Sequence, residues 1–453
     1  MGVTRFVTRH GADDIAARAA LSQPVVAEPP LDSTAGVARD GRRDDEGPIR
    51  FIDVLRSRVF LTLYVAETQS IIGDQLARVA LSVLVFQRTH SASETALTYA
   101  LTFLPAIAGG ALLSGIGDRL PQRTVLVWCD VARAALLAAM AVSGLPIGVL
   151  FALLTVVVFL GPAFTAAEVS LVAAVLDGER YRVATGLRMI TNQLAQVAGF
   201  AVGGVIVSLL SSQWALRLDA CSFALSALVV AYGTRTASAR VSHTLKGPAT
   251  PKIGLGVILR GLRADRRLRA NVGLAWLAGF FVVPEGLAAP YAFAIGGNTA
   301  SVGILLTAIP AGSVVGAYIV LRRVRPLVRT RVVGVMAVLT GLPLVACAAK
   351  PNLPVSLALW CLSGVFAAYL LDVVTSIVQL TPPDRRSRVV GLVGAGLIGV
   401  QGVGLIVFGV AATHIGAGPA IAMAGGIGAV LAVPLAVVLR RNSGVNSPEP
   451  GGT

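Results

Sequence analysis

Between Val59 and Leu439 the chain runs through twelve apolar stretches. Each is long enough to cross a bilayer, for which a helix needs roughly 20 apolar residues. The expected spans are 59–87, 95–117, 124–144, 146–176, 183–211, 214–233, 270–295, 299–321, 332–349, 354–380, 389–413 and 417–439. The short connections alternate in character. One set is rich in arginine: Arg119 and Arg123, then Arg180 and Arg182, then Arg322, Arg323, Arg325, Arg329 and Arg331, then Arg385, Arg386 and Arg388. The other set, around Gly144, Ser211 and Gly297, carries almost no charge. Cationic loops are retained in the cytoplasm, so the pattern predicts a multi-pass, all-α membrane protein with both termini inside.

Composition supports this and removes other classes. The 453 residues are 55% hydrophobic, with a mean hydropathy of +0.77, which excludes a water-soluble globular protein. The net charge of +15 would suit nucleic acid, but the arginines flank apolar spans, where they set topology and meet anionic lipid. Membrane lipid is therefore an expected partner and nucleic acid is not. Cys129, Cys221, Cys347 and Cys361 fall inside spans without CxxC spacing and are read as small buried hydrophobes. The four histidines are scattered, and neither metal nor cofactor is expected. None of the three lysines precedes Ser or Thr, so the chain holds no P-loop of its own for ATP.

Five regions follow. Residues 1–50 are a polar tail without the apolar core of a signal peptide, and 442–453 are a second tail. Residues 51–233 and 270–441 are expected to form two six-helix bundles. The basic linker 234–269 contains Ile253 to Arg267, where apolar and cationic residues alternate at helical spacing, the pattern of an interfacial amphipathic helix. The bundles repeat. A shift of 205 residues places Leu101, Thr102, Pro105 and Ala106 on Leu306, Thr307, Pro310 and Ala311. The same shift carries Pro121, Arg180, Gly186, Gln196, Gly199, Gly204 onto Pro326, Arg385, Gly391, Gln401, Gly404, Gly409.

Six plus six helices in parallel repeat is the layout of the major facilitator superfamily, and local motifs agree. Gly115, Asp118, Arg119 and Arg123 resemble the superfamily's loop signature Gly-x3-Asp-Arg-x-Gly-Arg-Arg, although the Gly is displaced by one and Pro121 and Gln122 depart from it. Ser70, Gly73 and Asp74, with Asp130 and Arg133 and the run Leu218 to Phe223, resemble the drug:proton antiporter branch that includes macrolide and enterobactin exporters. The Gly-Pro-x-x-Gly-Gly hallmark of antiport is altered, with Phe200 in the proline position. Gly199 and Gly203 keep a small-xxx-small packing face. The resemblance implies proton-coupled efflux of an amphipathic small molecule by a functional monomer, without enzymatic chemistry. An importer or lysolipid flippase on the same fold stays open, as does a non-transporting sensor or scaffold.

Charge inside the spans is the remaining signal. A charge at a span centre costs roughly 2.5–3.5 kcal/mol, and the first span holds Glu67, Asp74 and Arg78. Asp74 and Arg78, at i and i+4, are placed to pair, which would make them a neutral structural bridge. Glu67 shows no cation nearby in sequence, and burial without a counter-charge favours the protonated form of a carboxyl group. Glu168 and Asp372 lie at near-equivalent depths in the repeat, and Glu285 stands between Pro284 and Pro290, where a helix break is expected. Glu285, Asp372, Glu67, Glu168 and Asp74 are thus proton-coupling candidates. Asp118, Arg119, Arg123, Arg78, Asp130 and Arg133 are candidates for gating or structural charge, with Asp118 expected near the amino end of the eleventh helix, about Ser387 to Val390. Gln69, Asn192, Gln196, Trp276, Gln379 and Gln401 either line a substrate cavity or join helices by hydrogen bonds. Tyr291 is expected to mark the outer interface.

The topology is testable directly. Single cysteines at 118–123, 177–182, 322–331 and 384–388 in a Cys-free background should resist membrane-impermeant thiol reagents in intact cells. Labelling at 118–123 without labelling at 144–146 would reverse the orientation.

Overall fold

Apolar segments that cannot bond their backbone to lipid must satisfy it internally, and the chain does so with helices throughout. The computed structural model describes residues 50–113, 115, 120–176, 178–235, 265–323, 326–383 and 385–443. A short amphipathic turn, α1 (Phe51–Leu55), precedes α2 (Arg58–Thr89). Then come α3 (Ala92–Ala100) and α4 (Leu104–Leu113), α5 (Gln122–Met140), α6 (Ile147–Val175), α7 (Gly178–Leu209) and α8 (Ser212–Gly233). The second half holds α9 (Arg266–Leu277), α10 (Val283–Gly286), α11 (Ala288–Ala294), α12 (Thr299–Arg323), α13 (Pro326–Val345), α14 (Leu353–Ala367), α15 (Tyr369–Leu380), α16 (Arg386–Ile415) and α17 (Ala417–Ser443). Side-chain caps set several starts: Ser57, Ser91, Ser211 and Asn352 each accept from a backbone N–H three residues on.

Ten helical segments are long and apolar enough to span a bilayer, counting α3–α4 and α14–α15 each as one. An eleventh, α9 to α11, is broken by 49°. The break falls at Leu287, beside Glu285 and between the two prolines, as the sequence predicts. The twelfth is α5, whose 19 residues include Arg123, Asp130 and Arg133. It packs on α6 and α8, which surround those charges with protein. The expected interfacial helix from Ile253 lies in 236–264, outside the described residues. From Arg266 onward that stretch is already the start of α9, capped by Asp265, whose Oδ1 accepts from Arg267 N at 2.7 Å.

Within the first half α2 packs against α7 and α8. Gly199 and Gly203 make the α7 contact possible, because a Cβ on either would press on Ile72, Gln75, Leu76 or Val79. The halves meet through α7 with α12 and α3 with α16. Gly204 lies backbone to backbone against Gly303, and the repeat partner of Gly204, Gly409, lies against Ser93 and Ala96. Phe86 stacks on Phe293 with ring centroids 5.4 Å apart. All these contacts are toward the arginine-poor end. Near the arginine-rich end the repeat pair Gly186 and Gly391 has no atom within 4 Å of an added Cβ. The halves are thus closed at one end and apart at the other.

Two expectations about individual residues are overturned. Tyr291 is not at an interface. It is fully buried, stacked on Trp360 at 5.8 Å, with its hydroxyl 2.9 Å from Ser356 Oγ. Cys221 is exposed on α8, unlike the buried Cys129 and Cys347, so a cysteine inside a span need not face protein when lipid is as apolar as the core.

Because glycine alone allows the α7–α12 approach, Gly303→Leu should force the halves apart at the arginine-poor end. A cysteine replacing Ser93 should then react several-fold faster with an impermeant thiol reagent than in the parent background. Unchanged reactivity would show that this contact does not close the end.

Candidate functional site

A cavity of about 940 Å³, within the range of small-molecule sites, lies in the first half. Its walls are mostly aliphatic, contributed by α2, α4, α5 and α6, and it reaches Ser387 and Gly391 in the first turns of α16. Four charged side chains interrupt the apolar lining: Asp74 and Arg78 of α2, Arg133 of α5 and Asp219 of α8. Two glycines make room for them. A Cβ at Gly73 would collide with the Asp219 carboxylate and Ser222 Oγ, and one at Gly161 would stand 2.7 Å from an Arg133 terminal nitrogen.

The expected bridge between Asp74 and Arg78 does not form. Among the described residues no ion pair joins Asp74, Arg78, Arg133 or Asp219 to any other group. Arg78 instead lies over the rings of Tyr99 (5.7 Å) and Phe103 (5.4 Å), and Arg133 over Phe164 (5.7 Å) and Phe223 (5.2 Å). Asp219 is wholly buried, with Ser222 Oγ 3.2 Å from its Oδ1 and no partner on Oδ2. Asp130, also wholly buried, accepts from Ser226 Oγ at 2.6 Å behind the cavity wall. Arg123 donates to the Ala231 carbonyl at 2.7 Å, tying α5 to the end of α8. Asp118 and Arg119 lie outside the described residues.

A second charged cluster sits nearer the arginine-rich end. Arg188 of α7 donates from Nε and Nη2 to both carboxylate oxygens of Glu67, at 2.6 and 2.7 Å, and reaches Glu168 of α6 at 2.9 Å. Glu67 therefore has a cation after all, 121 residues away in sequence, and the expectation that it stands without one is wrong. Arg188 lies nearly three turns inside α7, and its signal in the sequence is plain: an arginine too deep in an apolar span to belong to the loop.

Glu285 meets the first half across the break in α9 to α11. Its Oε2 accepts from Tyr99 Oη at 2.7 Å, so the ring that carries Arg78 on its face also holds Glu285 at its edge. Asp372 is in the first turn of α15, just past the interruption at Ala368, and does not line the large cavity.

Two of the polar and aromatic cavity candidates, Gln69 and Trp276, bond to another helix. Gln69 donates to the Ser222 carbonyl at 3.1 Å, and Gln196 to Gln193 Oε1 at 3.2 Å. Trp276 donates to the Val393 carbonyl at 3.1 Å and fills the space beside Gly396. Asn192 and Gln401 are half-buried on α7 and α16, outside the large cavity. Gln379 lines a smaller hollow of about 190 Å³ with Arg267 and Asn271. Asp219 was absent from the sequence candidates. Its signal was its place in the apolar sixth span, next to small residues that let α8 approach α2.

Removing Arg188 would leave two buried acids without a counter-charge. Such a loss costs about 3–5 kcal/mol. Arg188→Gln should lower the thermal unfolding temperature of the purified protein markedly, and adding Glu67→Gln should recover much of the loss. An Arg188→Gln protein as stable as the parent would show that the cluster is not structural.

Comparison with known proteins fits this architecture. The sequence profile of the Major Facilitator Superfamily matches residues 63–295 and 286–453. The multidrug efflux pump Tap of Mycobacterium tuberculosis is 27% identical over 376 residues, covering 78% of this chain and 87% of that one. The uncharacterized MFS-type transporter YkuC of Bacillus subtilis is 28% identical over 191 residues, 40% of this chain and 42% of that one. A bacterial homologue of the human lysosomal transporter Spinster, solved inward-facing and unoccupied, superposes with a TM-score of 0.63 at 17% identity, covering 86% of this chain and 95% of its own. A mutant of the nucleoside transporter NupG gives 0.65 at 15% identity, covering 84% and 99%. At these identities the superpositions speak for the fold alone, whereas the profile match spans most of the sequence. The chain belongs to the Major Facilitator Superfamily.

Proposed function

We propose that this transporter exports an amphipathic small molecule across a bacterial cytoplasmic membrane, driven by proton influx, with both termini in the cytoplasm. The carrying observation is the cavity of about 940 Å³. It has aliphatic walls, buried charges at mid-depth, and one end at the arginine-rich side, where the halves stand apart. If that side is cytoplasmic, as its charge requires, the structure is in the conformation that loads from the cell interior. The Tap relative, named a multidrug efflux pump, agrees with export of such compounds. The protein works as a monomer in contact with anionic lipid, and its chemistry is a population shift between two states.

Glu285 and Asp372 are the first choices for the coupling proton. Glu285 takes a hydrogen bond from Tyr99 and forms no ion pair among the described residues, with Arg78 acting on it only from across the Tyr99 ring. It stands at a helix break between the halves, where a gain or loss of charge acts on their separation. Glu67 and Glu168 share one arginine and hold one negative charge in excess when both are ionised. They and Asp74 follow.

The test is flux in proteoliposomes with an imposed pH gradient, using fluorescent amphiphiles of each net charge. The parent should concentrate at least one of them against its gradient. Glu285→Gln or Asp372→Asn should abolish uphill accumulation while downhill exchange persists. If every one of the five neutralised variants still accumulates the probe, coupling does not run through these acids.

A further inference from the structure

The four charges lining the large cavity are two of each sign, and no two of them come within ion-pair distance. In an apolar setting, opposite charges that can reach each other pair, because the attraction is strong where water is scarce. Here packing prevents it. Arg78 is held over Tyr99 and Phe103, and Arg133 over Phe164 and Phe223. A cation over a ring face is bound more weakly than one hydrogen-bonded to a carboxylate, so both guanidinium groups keep their stronger interaction in reserve. Asp219 is fixed by Ser222 and by the close approach of α2 at Gly73, with Oδ2 unpartnered and the side chain wholly buried. The Arg133 Nε is likewise without a hydrogen-bond partner. Asp130 of α5 lies outside the lining, with Oδ2 accepting from Ser226 and Oδ1 without a partner. Leu81, Leu137, Leu154 and Val157 provide an apolar surface beside the charges.

We infer that this cavity is a dipolar site whose ligand is an amphipathic zwitterion. Its protonated amine sits on Asp74 and Asp219, its carboxylate or phosphate on Arg78 and Arg133, and its apolar body on the aliphatic wall. A singly charged ligand would satisfy one pair of charges and leave the other buried without a partner, the costly outcome for a site built to hydrogen-bond both. The inference names the substrate class for the export proposed above and rests on that proposal only for the direction of movement.

Three probes with one body separate the terms. Nε-dansyl-lysine carries an amine and a carboxylate, dansylcadaverine is the same molecule without the carboxylate, and dansyl-aminohexanoate lacks the amine. Binding of each to the purified full chain in nanodiscs is read by dansyl fluorescence. The zwitterion should bind about tenfold more tightly than either singly charged analogue, the worth of one extra charge-assisted hydrogen bond. Asp219→Asn should weaken the zwitterion and the cation and spare the anion. Arg133→Gln should weaken the zwitterion and the anion and spare the cation. A misfolded variant loses all three probes, so opposite selectivity in two variants is not a folding effect. Displacement of dansyl-lysine by lysophosphatidylethanolamine would assign the site to a lipid headgroup, and resistance to it would assign a soluble zwitterion. Equal binding of the three probes, binding of none, or equal loss of all three in both variants overturns the inference. Reconstituted protein that keeps this charge pattern in binding but moves no probe would overturn the export proposal and leave the dipolar site standing. Transport without charge preference would do the reverse.

Discussion

A charge carried into a hydrocarbon layer must be compensated by the protein that carries it, and the way this chain does so governs the arrangement of its first half. Two solutions appear side by side. Toward the arginine-rich end Arg188 draws Glu67 and Glu168 together and binds α2, α6 and α7 through one guanidinium. At mid-depth Asp74, Arg78, Arg133 and Asp219 form no ion pair, the two arginines lie over aromatic rings, and Asp219 packs against Gly73. The first cluster uses its charges to hold helices. The second leaves its charges to face a cavity. Both are possible because α7 and α8 pack on α2, which could not be inserted cheaply by itself.

The fold was legible because its signals are long and redundant. Span length, alternation of arginine between loops and the shift of 205 residues each point to six plus six helices, and no single misjudged residue alters that conclusion. The break beside Glu285 was legible too, since Pro284 and Pro290 remove backbone donors at defined places. The pairing of charges was not. Helical periodicity places Asp74 and Arg78 on one face, but it is silent about Tyr99 of α3 and Phe103 of the turn that follows it, whose rings lie under Arg78. It joins Glu67 to nothing, because its partner is on another helix 121 residues distant. Asp219 escaped for the same reason: its role depends on Gly73, a residue whose importance is only the absence of a side chain. Contacts between helices depend on rotation and approach distance, and neither is written in the periodicity of one helix. Asp118 and Arg119, the most recognisable motif, fall outside the described residues.

The repeat also has a physical meaning beyond ancestry. Gly204 and Gly409 are the same position in the two halves, and each is where its half touches the other at the arginine-poor end. Gly186 and Gly391 are again one position, and each faces open space. The pseudo-symmetry thus fixes which level of the molecule is in contact and which is apart. The charges break it. The cavity's four charged groups all belong to the first half, and the second contributes Ser387 and Gly391 of α16 as an uncharged wall.

Several strong interactions lie within a half, and the contacts between halves at the arginine-poor end are mostly apolar. The Arg188 cluster joins helices of the first half alone, and the Trp276 and Tyr369 bonds to Val393 and Leu274 lie wholly in the second. Across the boundary are glycine faces, the Phe86–Phe293 stack and the hydrogen bond from Tyr99 to Glu285. In a bilayer, apolar surfaces gain little by association, since lipid tails are as apolar as leucine. Parting the halves at the arginine-poor end therefore forfeits mainly van der Waals contact and one charge-assisted hydrogen bond, whereas distorting a half would expose buried charge. That difference in stiffness is what a protein needs in order to rock as two bodies and not unfold as one. The proposal made for Glu285 rests on the same difference: its carboxylate, hydrogen-bonded by Tyr99, lies on the boundary between the halves, whereas Glu67 and Glu168 are locked by Arg188 inside one of them.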